Sequence, residues 1–487
     1  MQALGGHSLN ADGSSSAAAP ALDAVVGGQS MYAAVEDLAK EKVTPLSLKQ
    51  LYAFGKDPTP EQRLANARFL HRELPVRLSQ RAVELMNLPH GLSAMPGIQQ
   101  VSHCYARYAW ELLCSRKPSS AQEEYEFSCL LSGMLLDGQS IPRALSIGLQ
   151  DFHNRLPVED GGRGGCGSRR GVLGDVDPAV RRDVQNAVSR FFTGRIGVRF
   201  LIEHHVSTVA QPNLRPGWSG IIQSAVSPSV EARHAAAEVR AQCARHLGAA
   251  PNIHVLGHDD DTFTYVPSHL EVILQEQLKN AARAVVERHH PAYTSMTALA
   301  GPVDYWGKKE CASVRGQALS ARDWPDGGPQ MPPIKVTVAM GKYDVTIKIA
   351  DEGGGASRSD MDRLWTYYYT TANTFILGVN APPPELMGAG EQIYKNVGSV
   401  DQRGEAAIAS TESGAVEPLA GLGLGLPLSR VYAKYFGGDI MLKSMEGFGM
   451  DSYLHLNRLG HECEELPALV RHSPAERDST PDEACEM

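Results

Sequence analysis

Apolar positions recur at three- and four-residue spacing through most of the first half of the chain. From about Leu46 to Val206 this is the period of amphipathic helices. The stretch EQRLANARFLHRELPVRLSQRAVELMNL (61–88) carries it most clearly, with Pro75 expected to mark a kink or joint. A second stretch, VQNAVSRFFTGRIGVRFLIEHHV (184–206), keeps it despite Gly194 and Gly197. Between them EDGGRGGCGSRRGVLGD (159–175) reads as a glycine-rich loop. Long helices joined by short turns predict an α-bundle.

The period changes in the second half. After a helix over 268–290, the residues of IKVTVAMGKYDVTIKIAD alternate. Ile334, Val336, Val338 and Met340 lie on one side of Gly341-Lys342, and Val345, Ile347 and Ile349 on the other. That is a β-hairpin with a glycine-first turn. A helical piece is expected around Asp360–Tyr369, and 371–417 is a long polar, Gly/Pro/Ala-rich segment of the kind that forms lids. LPLSRVYAKYFGG reads as a helix with a glycine cap, and DIMLKS with MDSYLHLNRL as a second hairpin. Helices with antiparallel strands imply an α+β chain whose second half is a two-layer α/β sandwich.

Composition narrows this picture only slightly. The chain has 487 residues, 43% hydrophobic and 21% charged, enough for two or more domains. A formal net charge of −9 gives no basic field for nucleic acid, and no apolar run is long enough to span a membrane. The eight cysteines contain no C-x-x-C pair, which favours reduced thiols over disulfides or zinc. The first 39 residues hold no Lys or Arg and are rich in Ala, Ser and Gly, so 1–43 is expected to be disordered. It also lacks the arginine-rich composition of a transit peptide.

Three clusters carry candidate chemistry. On the helix QEQLKNAARAVVERHH (275–290), Leu278, Ala281, Ala282, Val285 and Val286 form an apolar face. Glu276, Asn280 and Arg283 form a polar stripe with Lys279 beside it. Asparagine is a poor helix former, so Asn280 needs a reason. The second cluster, DEGGG (351–355), directly follows a strand. The third, GLGLGLP (421–427), directly precedes a helix. Glycines at a helix start let backbone N–H groups approach phosphate, an acid before a glycine turn can accept a base amino group, and an amide oxygen suits Mg²⁺. Each signal is weak alone: GLGLG is neither a dinucleotide fingerprint nor a P-loop. Together they read as a site for nucleotide plus Mg²⁺.

In this order the clusters resemble the N, G1 and G2 boxes of the ATPase superfamily that holds gyrase, the ninety-kilodalton heat-shock chaperone, histidine kinases and MutL. The residues VPSHLEVILQEQLKNAARAVVE (266–287), IKIADEGGGASRSDMDRLWTYYYTTA (347–372) and PLAGLGLGLPLSRVYAKYFGGDIMLKSMEGFGMDSYLHL (418–456) are similar to one branch in particular. This is the mitochondrial pyruvate dehydrogenase kinase and branched-chain α-ketoacid dehydrogenase kinase family. PLSLKQLYAFG (45–55), FLHRELPVRLSQRAVELMNLP (69–89) and RFFTGRIGVRFLIEHH (190–205) look like its N-terminal four-helix domain, so the resemblance covers about 45–471.

The resemblance implies a four-helix regulatory and lipoyl-docking domain over 44–215 and a Bergerat-type ATP-binding domain over 216–465. It places the lid at 371–417, before a tail over 466–487. It implies ATP and Mg²⁺ as cofactors, a homodimer, the mitochondrial matrix, and two partners: the E1 α subunit of an α-ketoacid dehydrogenase and the lipoyl domain of its acyltransferase core. Glu276 falls at the base that receives the serine proton and Asn280 at the Mg²⁺ ligand. The nucleotide is lined by Glu276, Gln277, Leu278, Lys279, Asn280, Ala281, Ala282 and Arg283. Asp351, Gly353 and Gly355, with Thr370 and Thr371, fall on the adenine side, and Gly421, Leu422, Gly423, Leu424, Gly425 and Leu426 over the phosphates. Lys279 and Arg283 would offset phosphate charge. Val272 stands where the pyruvate branch keeps a histidine, and the family's Asp-Trp tail signature is not visible.

Two other functions compete with this one. A histidine kinase needs a phospho-accepting histidine on a helical hairpin, where this chain has PVRLS (75–79). An ATP-binding scaffold would bind without turnover. The pairs His204-His205 and His289-His290 are helix-end residues, since neighbours on a helix point apart. The aromatics of WTYYYTT (365–371) read as core and lid anchor.

Overall fold

A computed structural model describes residues 25–26, 29–56, 59–138, 141–155, 178–210, 216–290, 331–367, 369, 423–467 and 469–470. The glycine-rich loop 159–175, the lid 371–417, Thr370, Thr371, Gly421, Leu422 and the end of the tail lie outside these residues.

Strands β1 (Val25–Val26) and β2 (Gln29–Ser30) lead into α1 (Met31–Leu38). This helix lies inside the stretch expected to be disordered. The stretch holds no Lys or Arg before Lys40, but Met31, Ala34 and Val35 sit at i, i+3, i+4 and are buried, Ser30 caps the helix, and the Tyr32 hydroxyl meets His103 Nδ1 at 2.9 Å. The helical half continues with α2 (Leu48–Lys56), α3 (Pro60–Met86), α4 (Pro96–Cys114), α5 (Ala121–Asp137), α6 (Ile141–Arg155) and α7 (Pro178–Ala210). Thr59 and Pro60 set the start of α3, which then runs unbroken through Pro75. An interior proline costs roughly 3 kcal/mol of helix stability. Burial of nearly the whole of 73–85 outweighs it, so no joint forms there. The α3 helix packs on α4, α7 and α5, while α6 packs on α4.

The sheet half begins with β3 (Trp218–Ser219), β4 (Ile222–Val226) and α8 (Pro228–Leu247). Helix α8 lies outside the elements that periodicity predicts, although Ser227, Pro228 and Gly248 (φ +73°) are start and stop signals. Strands β5 (Ile253–Leu256) and β6 (Phe263–Tyr265) precede α9 (Pro267–His289). Then come β7 (Ile334–Met340), β8 (Asp344–Asp351), α10 (Gly425–Lys434), β9 (Asp439–Met445) and β10 (Gly449–Asn457). The main sheet has the order β5-β7-β8-β10-β9. All its pairs are antiparallel except β5 with β7, and a small sheet orders β3-β4-β6. Both expected hairpins are present. The first turns on Lys342 and Tyr343, one residue later than expected, because Gly341 N–H pairs with Asp344 O at 2.8 Å and Met340 faces Val345. The helical piece expected at Asp360–Tyr369 is a single 3₁₀ turn, Arg363–Trp365.

Helices α8, α9 and α10 cover the sheet, giving an α+β chain with a two-layer second half. Gly437 (φ +79°) ends α10: its N–H bonds Lys434 O at 3.0 Å and Gly438 N–H bonds Ala433 O at 3.0 Å, a Schellman motif. The halves meet through α10 and α7. Phe200 of α7 packs edge-on to His269 of α9 and Phe436 beyond α10, at 5.7 and 5.4 Å. Tyr367 N–H donates to Gln185 Oε1 of α7 at 2.7 Å, and its ring stacks on Phe192 at 5.5 Å. Trp365 lies under the Arg430 guanidinium at 4.4 Å. Among the described residues no helix is long and apolar enough to cross a membrane.

Candidate functional site

Helix α9 sorts its residues by face. Leu278, Ala281, Ala282, Val285 and Val286 are buried against the sheet and α8. Gln277 joins them: it is buried, and its Oε1 accepts the Ser452 hydroxyl of β10 at 2.8 Å. Of the eight residues 276–283, four thus contribute core packing, while Lys279 and Arg283 are buried on the polar side. Glu276 and Asn280 are half-buried on the opposite stripe. Lys279 Nζ is ion-paired with Glu276 Oε1, and Arg283 Nε lies 3.5 Å from Glu287 Oε1. Each cation expected to face phosphate has a carboxylate of its own helix beside it.

The second cluster is pinned between α9 and the β9–β10 turn. Asp351 ends β8, and its Oδ1 accepts the Gly353 N–H at 2.7 Å. Burial pushes its carboxyl up to about 6, against the pull of backbone bonds from Gly353 and Met450. Gly353 lies so close to α9 that a Cβ would stand 2.5 Å from the Ala284 Cβ and 2.8 Å from its carbonyl carbon. Gly354 N–H bonds Phe448 O at 3.1 Å, and Gly447 N–H bonds Gly354 O at 2.9 Å. Ser444 Oγ accepts the Ala356 N–H at 2.7 Å and donates to Ala356 O at 2.8 Å. Arg288 donates to Gly447 O at 2.6 Å and Phe448 O at 3.2 Å, while His289 Nε2 meets Glu352 O at 2.8 Å. Arg288 and Ser444 support the cluster from outside the expected site residues. Their only signal was the MEGFG turn, whose position over the glycines is a sheet-order effect.

The third cluster enters at Gly423 (φ +66°), a conformation a larger residue would resist. Leu424 occupies the N-cap of α10 without a side-chain hydrogen bond, and Gly425 is the first helical residue. Pro427 carries no N–H. The start of α10 touches the polar stripe: a Cβ on Gly425 would overlap Glu276 Oε2. Leu424 and Leu426 flank it, half-buried.

The three clusters therefore converge on one helix. Gly425 meets α9 at Glu276 and Gly353 meets it at Ala284, eight residues or about 12 Å apart along the axis. Asn280 lies midway. One end offers a half-buried hydrogen-bond acceptor, Asp351, and the other a helix N-terminus uncapped by a side chain, which attracts anions.

Architecture and site define a class: an α+β protein in which two glycine turns and a helix start close on the polar stripe of one helix. A family described as mitochondrial branched-chain alpha-ketoacid dehydrogenase kinase matches residues 45–223. The mitochondrial [pyruvate dehydrogenase (acetyl-transferring)] kinase of Arabidopsis thaliana is 34% identical over 436 residues, covering 89% of this chain and 96% of its own. Its namesake in Schizosaccharomyces pombe is 29% identical over 483 residues, 90% of this chain and 99% of its own. That of Drosophila melanogaster is 28% identical over 431 residues, 87% and 84%. The chain belongs to the mitochondrial pyruvate dehydrogenase kinase and branched-chain α-ketoacid dehydrogenase kinase family.

Proposed function

We propose that this chain is an ATP-dependent protein serine kinase of the mitochondrial matrix. It phosphorylates the E1 α subunit of an α-ketoacid dehydrogenase complex, pyruvate dehydrogenase, and thereby inactivates it. The observation that carries this reading is the meeting of Asp351, Asn280, Glu276 and the start of α10 along one face of α9.

The span from Gly353 to Gly425 suits a nucleotide laid along α9 with its base at Asp351. The Asp351 carboxylate accepts the adenine amino group, and Gly353 gives the base room. The backbone from Gly423 to Leu426 faces the phosphates, completed by Gly421 and Leu422. Thr370 and Thr371 serve the adenine side, and 371–417 is the lid. Asn280 would hold Mg²⁺ through its amide oxygen. The metal supplies charge neutralisation on the transferring group. Glu276 orients the serine hydroxyl and accepts its proton, while the protein's main contribution is positioning.

In this reading 216–465 is a Bergerat-type ATP-binding domain and 44–215 a regulatory domain that docks the lipoyl domain. Support for the docking role is an apolar cleft of 540 Å³ in the helical half. Leu38, Phe69, Pro75 and Leu113 line it together with Glu41, Arg68, His71, Arg72 and Lys117. The chain acts as a homodimer.

A second reading, the branched-chain E1 as substrate, is favoured by the family description that matches 45–223 and by the apolar Val272. Transfer of γ-phosphate to purified pyruvate and branched-chain E1 decides between them. Glu276→Gln and Asn280→Ala should abolish incorporation. If ATP binds but neither E1 is labelled, the chain is a scaffold.

A further inference from the structure

We propose that Lys279 is the positioning residue of Glu276, and that Lys279 and Gly425 together fix the carboxylate from its two sides. This rests on the reading of Glu276 as the base. An i,i+3 ion pair on an open helix face is worth only a few tenths of a kcal/mol. This one is different, because the side chains are 10% and 20% exposed. An ammonium so enclosed needs the carboxylate, since a buried charge left alone is costly.

The other oxygen is confined by packing. Oε2 fills the space where a side chain on Gly425, the first residue of α10, would stand, and so lies beside the positive end of that helix. With one oxygen on Lys279 and the other on the helix start, the carboxylate has little freedom to rotate. The neighbouring elements bring charges that are engaged elsewhere. Arg430 of α10 binds Asp439 at 2.7 and 3.1 Å, and Glu238 of α8 accepts from Gln275 at 2.9 Å. One turn before the base, Val272 is buried and offers no hydrogen bond. Orientation of Glu276 therefore comes from Lys279, three residues later, and from α10. Lys279 acts through Glu276 rather than as a ligand of phosphate.

The test uses the full chain, with nucleotide affinity measured directly by calorimetry with ATP and phosphotransfer measured on purified E1. Lys279→Met should lower kcat by about tenfold to a hundredfold, the cost of a misplaced group, with ATP affinity kept within about twofold. Lys279→Arg should restore most of the rate. Gly425→Ala suits a first helical position yet intrudes on Oε2, so it should lower kcat with an unchanged melting temperature. A Lys279→Met variant that keeps kcat but loses ATP affinity about tenfold would make Lys279 a phosphate ligand and overturn the proposal. Full activity in Glu276→Gln would instead overturn the base assignment itself. Loss of activity in Glu276→Gln with none in Lys279→Met would overturn only the positioning role.

Discussion

Arg77 and Glu464, 387 residues apart in the chain, form a buried ion pair at the seam between the helical half and the sheet half. Arg77 Nη1 donates to Glu464 Oε2 at 3.0 Å, Arg77 Nε donates to Glu73 Oε1 at 2.9 Å, and the Tyr435 hydroxyl donates to the same Glu464 carboxylate. Burial alone would lower the guanidinium's pKa, but Glu464 holds it above its usual value. Tyr435 directly follows α10, so one short helix links this pair to Gly425.

Removing Glu464 leaves the buried Arg77 with Glu73 as its remaining carboxylate and its compensation incomplete. Glu464→Gln is expected to destabilise the protein by about 3–5 kcal/mol. Urea unfolding at pH 7.5 would measure this. A change below about 1 kcal/mol would mean that water replaces the carboxylate there. Tyr435→Phe should cost less, about 1–3 kcal/mol, because only one hydrogen bond to a charged group is lost.

Asp351 illustrates a site residue that opposes stability. Its folded-state pKa of about 6 lies above that of the unfolded chain. Its contribution is therefore fully present only below the unfolded value and is lost as pH rises through 6. At neutral pH the buried carboxylate costs roughly 3 kcal/mol. Asp351→Asn keeps an acceptor for the Gly353 N–H and removes the charge, so it should raise the melting temperature at pH 7.5. It should also abolish ATP binding, because its amide N–H₂ meets a donor on the base with another donor. A variant that is both less stable and still nucleotide-binding would contradict both halves of the argument.

Gly353→Ala tests the contact between the glycine turn and α9. The new methyl would land on the Ala284 side chain and backbone, and backbone cannot step aside. Overpacking of this kind costs about 1–3 kcal/mol. Thermal unfolding should show that loss, and titration with ATP should show weaker binding as the turn lifts away.

Three buried histidines set part of the acid response. Burial lowers His204 and His205 to about 4 and His269 to about 3. Their folded pKa values lie below the unfolded one, so their contribution is complete above about pH 6.5 and is lost as pH falls. The slope approaches 1.4 kcal/mol per pH unit for each. Asp351 and Glu203, both raised to about 6 by burial, act in the opposite sense and offset part of it. A single variant isolates one histidine: His269→Phe keeps an aromatic ring 4.8 Å from Tyr432. Between pH 6.5 and 4.5 its unfolding free energy should fall less steeply than the wild type's by about one proton's worth. Identical slopes would show that His269 does not stay neutral in the folded state.

The sequence alone determined what local pattern controls. The two hairpins follow from alternation, the end of α10 from Gly437-Gly438, and the division of α9 into an apolar face and a stripe from spacing. It also named the three clusters whose described residues meet on α9, because glycines and an asparagine in those places answer to steric and chemical needs that are visible residue by residue.

Only the tertiary structure decided who meets whom. It set β5 parallel to β7, buried Gln277 against Ser452, and folded the β9–β10 turn over Gly354. It ordered α1 against α3 and α4, and gave Lys279 to Glu276 instead of leaving it free for phosphate. Periodicity reports that a side chain will be buried or exposed. Its partner depends on sheet order and helix packing, which bring together residues as distant as Arg77 and Glu464, and no local spacing encodes that.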